Sequence, residues 1–156
     1  FFQKRPGFNE KIFFLFKLKT MKSHSSVLYN IPDNKRVTKF SIFIRKLRID
    51  EFLQLINIIK GDMSFVGPRP LLIEYLELYS DEQRLRHSVK PGVTGLAQIN
   101  GSEKLDFKKR IKFDIKYVNN ISFFLDVRII FNTLIYIIKN FFTKSDQTKL
   151  PKFIKK

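Results

Sequence analysis

The chain has 156 residues, of which 44% are hydrophobic, and this is enough for one domain with a buried core. The absence of cysteine excludes disulfides and thiolate metal sites. The 30 lysines and arginines outnumber the 14 acids and give a net charge of +16, which favours a polyanionic partner: nucleic acid, a phosphorylated substrate or an anionic membrane face.

The first twenty residues have the pattern of a β-hairpin. Arg5-Pro6-Gly7-Phe8-Asn9 is a turn-forming segment, and residues 12–18 alternate with the period of two that is typical of strands. Lys17 and Lys19 give the second strand a basic end, which in most strands only discourages edge pairing. The polar residues 21–36 are predicted to form a surface loop.

From Thr38 onward the hydrophobic period becomes helical. Phe40, Phe43, Ile44 and Leu47 recur at helical spacing, and lysine or arginine fills most of the other positions. Two interpretations remain open for this segment. It is either a surface helix packed on the core, or a helix lying in a membrane interface with its phenylalanines in the lipid and its cations on the headgroups.

Two adjacent acids, Asp50 and Glu51, follow that basic segment and begin a second predicted helix that runs to Ile59 and ends at Gly61. Taken alone, the pair is best interpreted as a helix N-terminus, with Asp50 capping free N–H groups and Glu51 opposing the helix dipole. Next to several cations, however, the two carboxylates also suggest a site for a metal and phosphates. Hard oxygen ligands such as Glu51 favour Mg²⁺, with substrate phosphates completing its shell.

The segment Gly67-Pro68-Arg69-Pro70 is a second candidate site, inside a loop predicted from Asp62 to Pro70. A proline on each side restricts the backbone and so favours one pose for Arg69, which suits bidentate capture of a phosphate. The alternative is a stiff turn between helices with a solvated arginine.

The remaining chain is predicted to be mostly helical. Helices are expected at residues 71–78, 80–87 with Ser80 as the cap, 107–118 and 123–142, and residues 93–99 are expected to be extended. The longest apolar stretch, residues 129–138, is interrupted by Asn132 and Thr133 and falls short of the about 20 residues that a spanning helix needs. We find no repeat or linker, and we expect one domain at residues 1–142 and a basic tail at 143–156.

Five motifs occur in order along the chain. They are Phe16-Lys17-Leu18-Lys19-Thr20-Met21, Leu47-Arg48-Ile49-Asp50-Glu51, Gly61-Asp62-Met63-Ser64-Phe65-Val66-Gly67-Pro68-Arg69-Pro70, Pro91-Gly92-Val93-Thr94-Gly95-Leu96-Ala97-Gln98-Ile99-Asn100-Gly101 and Phe113-Asp114-Ile115-Lys116-Tyr117-Val118. Together they resemble the bacterial sugar transferase family, the monotopic polyprenyl-phosphate phosphoglycosyl transferases, over residues 1 to 140.

The resemblance implies an α+β, mostly helical catalytic domain with a short N-terminal β-hairpin, at the cytoplasmic face of a bacterial inner membrane. The implied reaction moves a sugar 1-phosphate from a UDP-sugar to undecaprenyl phosphate and releases UMP, as the first membrane step of surface glycan assembly. By similarity, Asp50 is the nucleophile, Glu51 binds Mg²⁺, and Lys17, Arg45 and Arg69 hold phosphates. The implied partners are the UDP-sugar, the polyprenyl phosphate and the membrane surface, and no nucleic acid is expected.

Three departures from the family pattern stand out. Lys19 occupies a position where the family usually has arginine, and Ser102 follows Asn100-Gly101 where an arginine is common. The third concerns the N-terminal membrane helix of the family. Because residue 1 is Phe, we expect the natural start of translation and any membrane anchor to precede this chain.

Two other hypotheses remain open. A basic nucleic-acid-binding module accounts for the charge of +16, but not for the acid pair or the ordered glycine and proline motifs. An inactive fragment that keeps the transferase fold accounts for the motifs, and a test for UMP release from UDP-sugars separates it from the enzyme.

Overall fold

The computed structural model describes residues 1–20, 38–101 and 105–142 of the chain. In chain order the elements are β1 (Phe2–Pro6), β2 (Ile12–Phe16), α1 (Lys39–Lys46), α2 (Gln54–Ile59), β3 (Ser64–Val66), α3 (Asp81–Arg84), β4 (Gly92–Thr94), α4 (Leu96–Ile99), α5 (Phe107–Asn119) and α6 (Phe123–Phe142). Short 3₁₀ segments lie at Phe8–Glu10, Ile49–Glu51, Ile73–Leu78 and Leu85–His87. The prediction of a mostly helical α+β fold with an N-terminal hairpin is confirmed.

The hairpin pairs β1 with β2 in antiparallel register, so that Phe2 lies opposite Phe16 and Pro6 lies opposite Ile12. The connection between the strands includes the 3₁₀ segment Phe8–Glu10 and is therefore longer than a tight turn. Residues that face each other across a pair point to the same side of the sheet. One side accordingly carries Phe13 and Leu15, which are buried against Met63.

A second pair, parallel strands β3 and β4, joins two of the sequence motifs. Sequence reasoning placed β3 inside a loop and extended β4 to Ile99, and both assignments were wrong, because strands of three residues are too short to show a period. The two segments approach closely where both have glycine. A Cβ added to Gly92 would lie 2.1 Å from the backbone nitrogen of Gly67.

Helix α2 differs from its prediction in both its start and its buried face. The predicted helix begins at Asp50, whereas the chain forms a 3₁₀ turn at Ile49–Glu51 before α2 begins at Gln54. Its buried side chains are the polar Gln54 and Asn57, and the apolar Phe52, Ile56 and Ile59 are exposed.

Asn57 explains why the polar face of α2 is the buried one. Its Nδ2 donates to the carbonyl of Phe14 at 2.7 Å, and its Oδ1 accepts from the N–H of Phe16 at 3.1 Å. The side chain thereby satisfies backbone groups at the free edge of β2, which would otherwise be buried without partners. This contact fixes α2, and the turn that precedes it, against the hairpin.

The centre of the molecule contains a buried ion pair. Arg86 donates to Asp114 Oδ2 through Nη2 at 2.8 Å and through Nε at 3.1 Å, and its Nη1 donates to the Tyr79 hydroxyl at 3.0 Å. The same Nη2 donates to the backbone carbonyl of Arg69 at 2.6 Å. Arg86 therefore connects α5 to the Gly67–Pro70 segment.

Several helix predictions are confirmed. Helices α1, α5 and α6 lie where the periodicity placed them, and Ser80 forms a capping box with Gln83. Within the described ranges, no helix combines the length and the apolar character needed to cross a membrane. The predicted loop at residues 21–36 and the basic tail at 143–156 lie outside the described residues.

The buried ion pair predicts a large effect of Asp114→Asn on stability. The substitution leaves Arg86 charged and buried, so the free energy of unfolding at pH 7 should fall by about 3 kcal/mol or more. Urea unfolding measures this value. The matched control is Lys109→Gln, in an exposed pair at 3.9 Å, which should change stability by less than about 0.5 kcal/mol. A loss below about 1 kcal/mol for Asp114→Asn would contradict the role of the pair.

Candidate active site

Asp50 and Glu51 lie in the 3₁₀ turn between α1 and α2, and only 4% and 5% of their surfaces are exposed. The turn is preceded by Arg48, a non-glycine residue with φ of 54° in the left-handed region. Neither acid caps the turn or the helix that follows, so the capping interpretation is wrong. Buried carboxylates need positive partners, and the surrounding chain supplies them.

Asp50 is held by the end of the hairpin. Lys17 Nζ lies 2.9 Å from Asp50 Oδ2, and the N–H of Leu18 donates to the backbone carbonyl of Asp50 at 3.0 Å. The N–H of Lys17 itself donates to the carbonyl of Phe1. A main-chain hydrogen bond and an ion pair therefore fix the distance between β2 and the acid.

Glu51 is held by two arginines. Arg69 Nη2 donates to Oε1 at 2.6 Å, and Arg48 Nη1 donates to Oε2 at 3.1 Å. Burial alone would raise the pKa of Glu51, but the charges of Arg69 and Arg48 and the bond from Arg69, aided by the charge of Lys17, outweigh it and lower the pKa to about 2. Glu51 is therefore ionised at neutral pH.

Arg69 is fixed through its backbone. Pro68 and Pro70 on either side are buried, and the Arg69 carbonyl accepts from Arg86. The N–H of Gly67 donates to the Thr94 carbonyl at 2.9 Å, which continues the pairing of β3 and β4. The alternative of a solvated turn arginine is therefore wrong, although binding of a phosphate by Arg69 stays a prediction.

The structure brings together four of the five predicted site residues: Lys17, Asp50, Glu51 and Arg69. Within the described ranges, no ion pair joins Arg45 to either acid. Its Nη1 is buried and has no hydrogen-bond partner among the residues that the structure describes. The proposed phosphate contact of Arg45 stays a prediction.

Sequence reasoning did not assign a role to Arg48. Its spacing of three residues from Glu51 is the signal that could have identified it. The guanidinium carbon of Arg48 also lies 5.9 Å from the centre of the Tyr136 ring, so it connects α6 to the acid pair.

Arg5 is the second site residue that was missed. It lines a pocket of about 90 Å³ beside the acid pair, together with Lys17 and Arg69. The other lining residues are Phe1, Gln3, Leu15, Gln54 and Pro70. Alternation along the hairpin could have predicted this position, because odd-numbered residues of β1 share a side with odd-numbered residues of β2.

The acid pair fits Mg²⁺ only in part. Among the described residues, no group of three or more His, Cys, Asp or Glu side chains could hold a metal ion. Mg²⁺ is commonly bound by one or two carboxylates plus phosphate oxygens, and a carboxylate has about four acceptor sites. Because the two arginines use one site on each oxygen, Glu51 retains the capacity for a metal ion that phosphates also ligate.

Comparisons with known proteins identify relatives over most of the chain. The family model described as bacterial sugar transferase matches residues 1–140. The chain is 51% identical over 131 residues to EpsL, an uncharacterized sugar transferase of Bacillus subtilis (strain 168), which is 83% of this chain and 65% of that protein.

Two relatives have names that state an activity. The chain is 35% identical over 150 residues to the UDP-glucose:undecaprenyl-phosphate glucose-1-phosphate transferase of Xanthomonas campestris pv. campestris, which is 88% of this chain and 31% of that protein. It is 42% identical over 105 residues to the undecaprenyl-phosphate galactose phosphotransferase of Salmonella typhimurium, which is 67% of this chain and 22% of that protein. The chain thus spans less than two thirds of each of these relatives.

The environment of Glu51 predicts a specific pH dependence of stability. Because its pKa is lowered from 4.5 to about 2 on folding, its contribution is fully present above pH 4.5 and is lost as the pH falls toward 2, and it is on the order of 3 kcal/mol. The stability difference between the parent and Glu51→Gln should therefore shrink between pH 5 and pH 3.

Urea unfolding at several pH values measures that difference. Replacing the strongest partner, as in Arg69→Gln, should weaken the pH dependence, since Arg69 contributes the largest lowering of the Glu51 pKa. A difference that stays constant from pH 5 to pH 3 would show that the arginines do not hold the carboxylate in its ionised form.

Proposed function

The chain belongs to the bacterial sugar transferase family, and on that premise we propose that it transfers a sugar 1-phosphate from a UDP-sugar to undecaprenyl phosphate and releases UMP. The motif resemblance to this family is confirmed by the match over residues 1–140. The names of two relatives, an undecaprenyl-phosphate glucose-1-phosphate transferase and an undecaprenyl-phosphate galactose phosphotransferase, support this substrate class. The observation that carries the proposal is the buried acid pair, whose two members have different partners.

The different partners support different roles for the two acids. Both oxygens of Glu51 accept from arginines, whereas the described partner of the Asp50 side chain is Lys17 through Oδ2. Asp50 is therefore the better nucleophile. We propose that an Asp50 oxygen attacks the phosphorus that bears the sugar, and that the bond to the uridine-linked phosphate breaks and UMP leaves.

The second displacement regenerates the enzyme. A phosphate oxygen of undecaprenyl phosphate attacks the same phosphorus, the bond to Asp50 breaks, and the carboxylate returns to its starting state. Lys17 and Arg69 both line the pocket beside the acids, and Arg45 is proposed to join them on the substrate. Their positive charges would stabilise the charge on the phosphoryl oxygens during both steps.

Glu51 is the proposed protein ligand for Mg²⁺, with substrate phosphate oxygens as further ligands. Bound there, Mg²⁺ would neutralise phosphate charge and orient the diphosphate. Arg48 and Arg69 keep the Glu51 carboxylate ionised and in one position, so that its ligand atoms are fixed before substrate arrives.

We also propose that the domain lies on the cytoplasmic face of a bacterial inner membrane. Helix α6 presents a continuous apolar stripe to solvent. The stripe consists of Phe123, Val127, Ile130, Phe131, Leu134, Ile138 and Phe141. The Phe43 ring of α1 lies 6.3 Å from the Phe141 ring and extends this surface. An apolar stripe on a chain with a charge of +16 suits a membrane that carries anionic lipids, where the lipid acceptor would also reside.

Turnover tests the proposed reaction. A panel of UDP-sugars is incubated with a short-chain polyprenyl phosphate and Mg²⁺, and UMP release is measured. Asp50→Asn should lower the rate at least about a thousandfold, because the attacking group is lost. Glu51→Gln and excess EDTA should each slow the reaction severely.

The matched control is Asp81→Asn, at an exposed acid on α3, which should stay within about twofold of the parent. Near-parent turnover by Asp50→Asn would exclude the covalent route. Full activity in excess EDTA would exclude the metal. A parent chain that releases no UMP from any UDP-sugar would support the inactive fragment instead.

Vesicle binding tests the membrane proposal. The chain should bind vesicles containing anionic lipid, and binding should weaken as salt rises, because each lysine or arginine at the surface contributes about 1 kcal/mol. Phe131→Asp, at a side chain 63% exposed in the stripe, should weaken binding at least about tenfold. Flotation with vesicles measures both effects.

The control is Leu78→Asp, at a side chain 59% exposed outside the stripe, which should bind within about twofold of the parent. Equal binding to neutral and anionic vesicles would contradict the electrostatic part of the proposal. An unchanged affinity for Phe131→Asp would contradict the role of the stripe.

A further inference from the structure

The pocket beside the acid pair is lined by three cations from three separate segments. Arg5 comes from β1, Lys17 follows β2 directly, and Arg69 comes from the segment after β3. Lys17 and Arg69 are paired with the acids. Within the described parts of the chain, Arg5 makes no ion pair. The pocket therefore holds more positive charge than the acids beside it balance.

Arg5 is also incompletely hydrogen-bonded. Its Nη2 donates to Gln3 Oε1 at 2.7 Å, whereas its Nε is buried and has no partner among the described residues. A buried N–H without an acceptor is unfavourable by about 1–3 kcal/mol. Such a donor on the wall of a polar pocket is a position where an acceptor from a ligand would be stabilising.

The charges around Arg5 point in the same direction. Burial, followed by repulsion from Arg69, lowers the pKa of Arg5 to about 10, against a smaller raising effect of Glu74. The guanidinium thus stays protonated at neutral pH in a place that disfavours its charge. An anion between Arg5 and Arg69 would remove that repulsion.

We propose that this pocket is a subsite for one phosphate group, in which Arg5 donates to the phosphate oxygens together with Lys17 and Arg69. A space of about 90 Å³ has room for a few water molecules or one tetrahedral phosphate and is too small for a nucleoside. The subsite rests on the proposed function for its choice of substrate. The same chemistry is present in the diphosphate of a nucleotide sugar and in the phosphate of a polyprenyl lipid.

Binding of inorganic pyrophosphate to the full chain tests the subsite without requiring turnover. Titration calorimetry should show binding to the parent, and Arg5→Gln should weaken it at least about tenfold, because a charged hydrogen-bond donor is lost. The matched control is Lys4→Gln. Lys4 is the neighbouring cation on β1, but it lies on the other side of the hairpin over the Phe14 ring, so its loss should change affinity less than about twofold.

Arg5→Lys keeps the charge and removes the forked donor geometry, so it should weaken binding at least about threefold. This variant decides the matter if Arg5→Gln fails to fold, which a thermal unfolding curve of each variant shows. Parent-like pyrophosphate affinity in a folded Arg5→Gln, or in Arg5→Lys when Arg5→Gln is unfolded, overturns the subsite. No binding of pyrophosphate to the parent also overturns it.

Two further titrations identify the source of the phosphate. If Arg5→Gln weakens the binding of UDP and leaves a short-chain polyprenyl phosphate unaffected, the subsite holds the donor diphosphate. The reverse result assigns it to the acceptor, and either result supports the subsite. A chain that binds pyrophosphate through Arg5 and yet releases no UMP would overturn the proposed function and leave the subsite intact.

Discussion

The burial of two adjacent carboxylates is the constraint on which the rest of this structure depends. Asp50 and Glu51 are almost fully buried, and a buried carboxylate is tolerated only when a cation or several donors compensate it. The compensation comes from segments far apart in sequence: Lys17 at the end of the hairpin, Arg48 before the turn and Arg69 after β3. Neutralising the acids therefore requires the hairpin, the turn and the Gly67–Pro70 segment to meet at one place.

The same constraint separates the two acids chemically. Arg48 and Arg69 fix both oxygens of Glu51 and keep it ionised, whereas Asp50 is paired with one flexible lysine. Arg69 is in turn held by Arg86 from below, so the buried pair of Arg86 with Asp114 supports the site from the opposite side. A fixed metal ligand beside a freer nucleophile is the arrangement that a two-step phosphoryl transfer needs.

Sequence reasoning predicted what depends on local pattern and missed what depends on distant contacts. The long helices α5 and α6 have enough turns to show their period, and the acid pair and Arg69 stood out within motifs. The buried face of α2 was not predictable, because it is decided by bonds between Asn57 and a strand 41 residues away. The position of Arg5 beside Arg69 likewise arises only when the hairpin packs on the site.

The central claim is that Asp50 carries the sugar phosphate between donor and acceptor. The most direct test is the mass of the protein after incubation with Mg²⁺ and a competent UDP-sugar in the absence of any lipid. The account predicts that the chain gains one sugar phosphate, located on the peptide that contains Asp50, with release of one UMP, and that Asp50→Asn gains none. Established turnover with lipid, but neither an adduct nor UMP release without it, would show that the acceptor attacks directly and would contradict the account.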